Sequence, residues 1–123
     1  MMKGSCACGT IAFTVSGEPI GASCCHCSQC RKMSGHVWSS AYLPATQIEI
    51  TGPVKWVSLS AQAKRGICPE CGAFLFWKAH DEETMSFALG AIDGDTGLTL
   101  EKHIFTAMKG DYYALSDGLP QKD

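Results

Sequence analysis

Short runs of alternating apolar and polar side chains, broken by Gly, Pro and Asp, dominate this chain. Ile11-Ala12-Phe13-Thr14-Val15 puts Ile11, Phe13 and Val15 on one face of an extended segment and stops at Ser16-Gly17-Glu18-Pro19. A period of two predicts a half-buried strand, and the cluster of turn formers predicts its end. The same pattern predicts strands over 37–43, 47–51 and 54–59, parted by Pro44-Ala45-Thr46 and by Gly52-Pro53. Strands over 64–68 and 73–77 flank Cys68-Pro69-Glu70-Cys71-Gly72, a hairpin with two thiols in its turn. A strand over 85–91, a tight turn at Asp93-Gly94-Asp95 and a last short strand over 103–107 follow. Helix is expected only as a turn or two over 28–34, closed by Gly35. Residues 111–123 hold aromatic and Pro residues without a period and read as ordered coil. The pattern is that of a mainly β protein with antiparallel sheets, one domain over 1–123 with its core in 1–110.

Composition narrows the function. A chain of 123 residues, 46% of them hydrophobic, can bury a core of its own. The formal charge of -2 leaves no basic footprint, so nucleic acid is not an expected partner. No apolar run approaches the ~20 residues that cross a bilayer, so neither is a membrane. Met1-Met2-Lys3-Gly4-Ser5 leads straight into the first thiols with no apolar leader, which predicts a reducing compartment and a cytoplasmic protein.

Eight cysteines then carry the chemistry. Cys6 and Cys8 flank Ala7, and Cys68 and Cys71 bracket Pro69-Glu70. Together they make four thiolates, the closed tetrahedral set of a structural zinc. Cys25-His26-Cys27-Ser28-Gln29-Cys30 supplies three more, which can hold a metal and leave a coordination position open for chemistry. In an extended chain residues two apart share a face, so Cys6 with Cys8, and Cys25 with Cys27, are expected to aim at one ion each. Cys24 then points the other way, as a small buried hydrophobe. A disulfide framework is the rival reading of an even number of cysteines, but a reducing compartment and one-residue spacing both oppose it. A redox pair at Cys68 and Cys71, or at Cys27 and Cys30, is the other. All-thiolate ligation with this spacing points to zinc rather than iron.

Gly4-Ser5-Cys6-Ala7-Cys8-Gly9, then Cys25-His26-Cys27-Ser28-Gln29-Cys30-Arg31-Lys32, then Arg65-Gly66-Ile67-Cys68-Pro69-Glu70-Cys71-Gly72 together resemble the glutathione-dependent formaldehyde-activating enzyme family, also called the centromere protein V type. The resemblance extends to His103-Ile104-Phe105. It implies a small β-tent organised by two Zn2+ ions, with Cys6, Cys8, Cys68 and Cys71 as the structural site and Cys25, Cys27 and Cys30 as the catalytic one. Cys24 matches no ligand position of that family. The activity it implies is a carbon-sulfur lyase that adds a thiol such as glutathione to formaldehyde or a related small carbonyl compound, or removes it. The alternative is a non-enzymatic zinc module that binds a partner protein or a thiol metabolite; a thiol-redox protein is a third reading.

Other residues are expected to play supporting parts. Arg31 and Lys32 follow the last thiol and are candidates to bind substrate carboxylates, or else are solvated surface charges. His26, between two thiols, should point away from the metal. His36 is near enough to carry a proton or fill a fourth position, whereas His80 and His103 have no local support. Trp38, Tyr42, Trp56, Phe74, Phe76 and Trp77 read as core.

Overall fold

Alternation along the chain delivers most of the expected strands and the helix. A computed structural model describes residues 1–123. Its elements are β1 (Met2–Ser5), β2 (Ala12–Val15), β3 (Gly21–Cys25), α1 (Ser28–Ser34), β4 (Trp38–Pro44), β5 (Ile48–Thr51), β6 (Lys55–Val57), β7 (Ala63–Ile67), β8 (Phe74–Ala79), β9 (Thr84–Ala88) and β10 (Lys102–Ile104). They form a three-stranded sheet, β1-β2-β5, and a seven-stranded sheet, β10-β3-β4-β9-β8-β7-β6. Neighbours are antiparallel except at one edge, where β10 runs parallel to β3 with His103 opposite Cys24. A parallel partner needs a long crossover, and β10 returns to the sheet only after the extended stretch that follows β9.

Because paired residues share a face, the large sheet has two distinct sides. One side carries Ala41, Leu43, Met85, Phe87 and Phe76 and packs on Phe13, Val15 and Ile48 of the small sheet. This is the main core, where Val15, Leu43, Phe76 and Phe87 are all 0% exposed. The Phe13 ring meets Phe76 edge-on at 5.0 Å and fixes the distance between the sheets. Strand β1 crosses that ring at Gly4, where a Cβ would come within 2.2 Å of it. The other side carries Ser23, Ser40, Ser86, Trp77 and Arg65 and faces a cavity.

A register shift between β7 and β8 re-aims one aromatic residue. Gly66 pairs with Phe76 but Ile67 with Phe74, so Leu75 is the extra residue. Leu75 and Phe76 both enter the main core, while Phe74 turns to stack on Trp38 at 4.0 Å with ring planes 9° apart. Bulges redirect side chains in this way.

Several expectations are corrected. Strands β1 and β3 lie where none was expected, in Met-Lys-Gly-Ser and Gly-Ala-Ser-Cys-Cys, segments without β-branched alternation. Strand β9 stops at Ala88, and Leu89–Ala91 coils as a 3-10 turn. Strand β10 covers Lys102–Ile104 and ends at Phe105, which sits in the left-handed region at φ 55°. The tail beyond Gly110 is docked along β10: the His103 amide donates to Pro120 O, and the Lys122 amide donates to His103 O, each at 2.9 Å. Tyr42 and Trp56 are not core, being 40% and 38% exposed. No helix is long and apolar enough to cross a membrane.

Candidate metal centres

Two knuckles of similar build bring four cysteines together. In each, the backbone turns through a glycine of positive φ, Gly9 at 82° and Gly72 at 80°, conformations that a side chain would strain. The Gly9 amide donates to Cys6 O and the Gly72 amide to Cys68 O. A backbone amide is also aimed at the first sulfur of each pair, from Ile11 to Cys6 Sγ at 3.2 Å and from Cys71 to Cys68 Sγ at 3.4 Å. Such donors stabilise thiolate over thiol. Cys6 and Cys8 therefore converge through a turn, not through the extended segment expected of them. Their sulfurs are 3.7 Å apart and Cys8 Sγ is 3.8 Å from Cys68 Sγ. Four sulfurs at about 2.3 Å from one zinc ion in a tetrahedron stand about 3.8 Å from each other, so the set fits zinc without rearrangement. Cys71 completes a group whose sulfurs all lie within 4.8 Å of one another.

The second group is built differently. Cys25 ends β3, Cys27 is the N-cap of α1, and Cys30 lies in that helix, with its amide donating to Cys27 Sγ at 3.3 Å. The helix closes at Gly35, φ 85°, whose amide donates to Arg31 O. Cys25, Cys27 and Cys30 also lie within 4.8 Å of one another. Without a cation the three thiols compete for charge: a hydrogen bond from Cys30, acting against burial, holds Cys25 down at about 6. The same bond, with burial, pushes Cys30 up. One thiolate thus forms at the expense of the others, a conflict that a divalent cation removes.

This trio opens on a cavity of about 670 Å³. Tyr42 and Trp77, expected in the core, instead form its walls together with Trp38, which is buried as expected, and Ser40 and Ser86 lie between them. Arg65 lines it too and is only 3% exposed. Its Nε and Nη1 are buried with no hydrogen-bond partner. Sequence reasoning passed over Arg65, although adjacent Lys64 and Arg65 in one strand must face opposite sides, so that one of them points inward. Arg31 and Lys32, read as carboxylate binders or else as surface charges, do not line the cavity. Arg31 Nε donates to Met108 O at 3.2 Å and Lys32 is exposed.

Of the histidines, His26 points away from the trio as expected, and its partners are the unexpected part. His36 is exposed, against the Tyr113 ring at 4.2 Å, and His80 is exposed after β8. His26 turns away from the cavity, 1% exposed, with its Nδ1 2.5 Å from Tyr113 Oη and its Nε2 2.9 Å from His103 Nδ1. His103 Nε2 in turn lies 2.7 Å from Asp117 Oδ2. His103, Tyr113 and Asp117 are thus partners of the loop that carries the trio, through contacts of up to 87 residues' separation that no local signal reveals. Cys24 Sγ lies 3.2 Å from Ser39 Oγ, buried and apart from both groups, and burial pushes its thiol up.

The sequence profile of the glutathione-dependent formaldehyde-activating enzyme matches residues 1–108. This chain belongs to that family. The family match contains both cysteine groups and His103 and stops short of Tyr113 and Asp117. No curated protein matches the sequence. Among solved structures, the crystal structure of a Rhodobacter sphaeroides protein is similar, with a TM-score of 0.64 and 22% identity over 78% of this chain and 92% of that one. At that identity the likeness speaks for the fold.

Proposed function

We propose that the whole chain, 1–123, acts as one zinc-dependent carbon-sulfur lyase in the cytoplasm, adding a glutathione-like thiol to formaldehyde or a related small carbonyl compound, or removing it. In this reading Cys6, Cys8, Cys68 and Cys71 hold a structural zinc and Cys25, Cys27 and Cys30 hold the catalytic one. One observation carries the reading: four sulfurs surround one point, whereas three surround another that faces a cavity. Closed sets suit structure and open sets suit reaction.

Zinc, when bound, supplies a Lewis acid that favours the ionised form of an arriving thiol. Full ionisation at neutral pH is worth roughly 2 kcal/mol, given an ordinary thiol pKa near 8.5. Positioning by the chain is the larger contribution. In the forward step the thiol gives up its proton to water, the sulfur forms a bond to the carbonyl carbon, the carbonyl π pair moves to oxygen, and that oxygen takes a proton back from water. Trp38 gives the cavity a rigid apolar wall, held from behind by the Phe74 ring stacked on it and by a 3.2 Å hydrogen bond from Trp38 Nε1 to Phe74 O. The hydroxyls of Ser40 and Ser86 line the same space and are suited to hold the oxygen that changes charge.

The test is exchange NMR with 13C-formaldehyde and glutathione on zinc-loaded protein. Exchange between formaldehyde hydrate and its hydroxymethyl thioether should exceed the buffer rate and return to it in Cys30→Ser. A rate equal to buffer with the wild-type chain favours the non-catalytic zinc module.

A further inference from the structure

One buried charge in the cavity has no hydrogen-bond partner. Arg65 pairs across the sheet with Trp77 and so points into the cavity. The structure's one contact between a basic side chain and a carboxylate at salt-bridge distance, His103 with Asp117, lies elsewhere. Leaving a guanidinium buried and unpaired costs several kcal/mol, so buried charges are normally matched. Glu82, the acidic residue of the cavity, is exposed and shares its carboxylate with Thr84. No hydrogen bond joins Arg65 to the trio. The Arg65 ring contact, 5.9 Å from the guanidinium carbon to the centre of Phe74, leaves the edge of the fork free. Arg65 donates no hydrogen bond, so the edge that its Nε–H shares with Nη2 is free, the shape that a carboxylate fits in a bidentate manner. One buried cation also suits a single negative charge better than a phosphate dianion. Lys102, the other cation on the cavity, stands on β10, with four strands between it and β7.

We propose that Arg65 is a carboxylate receptor, so that the substrate is an acidic thiol or carbonyl compound held at two points, its carboxylate on Arg65 and its reacting end at Cys25, Cys27 and Cys30. The second point rests on the function proposed above; the first does not.

Calorimetry on zinc-loaded protein should compare 3-mercaptopropionate with its neutral amide, while NMR follows the Arg65 Nε–H resonance. The acid should bind about 10- to 100-fold more tightly, the range of charge-assisted hydrogen bonds, and should shift that resonance. The preference should vanish in Arg65→Met and survive in part in Arg65→Lys, which keeps the charge without the fork. Equal affinities in the wild type overturn the receptor, as does a preference that persists in a folded Arg65→Met. If that variant does not fold, the wild-type pair and the Nε–H shift decide. If neither thiol binds, the thiol reading of the trio fails. Propionate then judges Arg65 alone: a saturable Nε–H shift, absent with propionamide, upholds the receptor and no shift overturns it.

Discussion

His26 Nε2 lies 2.9 Å from His103 Nδ1, and this contact belongs to a hydrogen-bond chain with a single direction. The ionised Asp117 carboxylate only accepts, so His103 Nε2 must donate to it, and in the neutral ring His103 Nδ1 is then an acceptor. His26 Nε2 then donates to His103, and Tyr113 Oη donates to His26 Nδ1. Burial pushes His26 below its usual value and keeps it neutral, as the chain requires. Long-range 1H–15N spectra at pH 7 should show both rings in the Nε2–H form. A Nδ1–H tautomer at His26 would reverse the order of donors.

Asp117 gives the docked tail a pH dependence of known sign. The hydrogen bond from His103, then the Leu119 amide, hold its carboxyl below the ordinary aspartate value. A folded pKa below the unfolded one contributes stability that is complete above the unfolded value, about 3.9, and is lost as pH falls through the folded value. At pH 7 the amides of Lys122 and Thr106, bonded to His103 O and Lys122 O, should exchange more slowly in the wild type than in Asp117→Asn. The gap should close as acid protonates Asp117. Equal exchange at pH 7 would show that the tail docks without this contact.

What could be read from the residues follows from where their partners sit. The hairpin of β7 and β8 and its cysteine turn were legible because alternation and turn formers are local. So was α1, bounded by Gly35, although its N-cap is the thiol of Cys27 in place of the usual hydroxyl or carboxylate. Strand β3 was not legible: Gly21, Ala22, Cys24 and Cys25 are all buried, on both faces, so there is no alternation to see. Arg31 and Lys32, next to the thiols in sequence, were candidates for the cations of the cavity or for surface charges, and the cavity's cations are Arg65 and Lys102, which β7 and β10 bring there. The tail escaped because its anchors, His103 to Pro120 and His26 to Tyr113, exist only after the chain has folded back.

The two cysteine groups should fail differently. Cys68 is 1% exposed and its group ties β1 to the β7–β8 turn across about sixty residues of chain, so Cys68→Ser removes a ligand on which the join between the sheets depends. Structural zinc contributes on the order of ten kcal/mol in small modules, more than most domains can lose. Cys68→Ser should therefore lose cooperative unfolding by circular dichroism. Cys30→Ser should keep it and bind one zinc in place of two, by metal analysis after gel filtration. The opposite pattern would exchange the structural and catalytic assignments.

Gly4 and Gly90 make a matched pair for the packing of the small sheet. An alanine Cβ at position 4 would sit 2.2 Å from the Phe13 ring, and at position 90 it would meet nothing within 4 Å. Phe13 cannot yield, since it is 3% exposed and wedged against Phe76 at 5.0 Å and Phe87 at 6.1 Å. The clash must displace β1, whose far side is tied to the loop after β9 by the Asp93 amide donating to Lys3 O at 2.8 Å. Overpacking of this kind costs about 1–3 kcal/mol. Gly90→Ala has no such contact and lowers the entropy of the unfolded chain, a gain of up to about 1 kcal/mol. Urea midpoints of the zinc-loaded proteins should fall for Gly4→Ala and hold or rise for Gly90→Ala. A Gly4→Ala midpoint equal to wild type would mean that the Phe13 ring is free to move aside, and that the sheets are not spaced by its contact with Phe76.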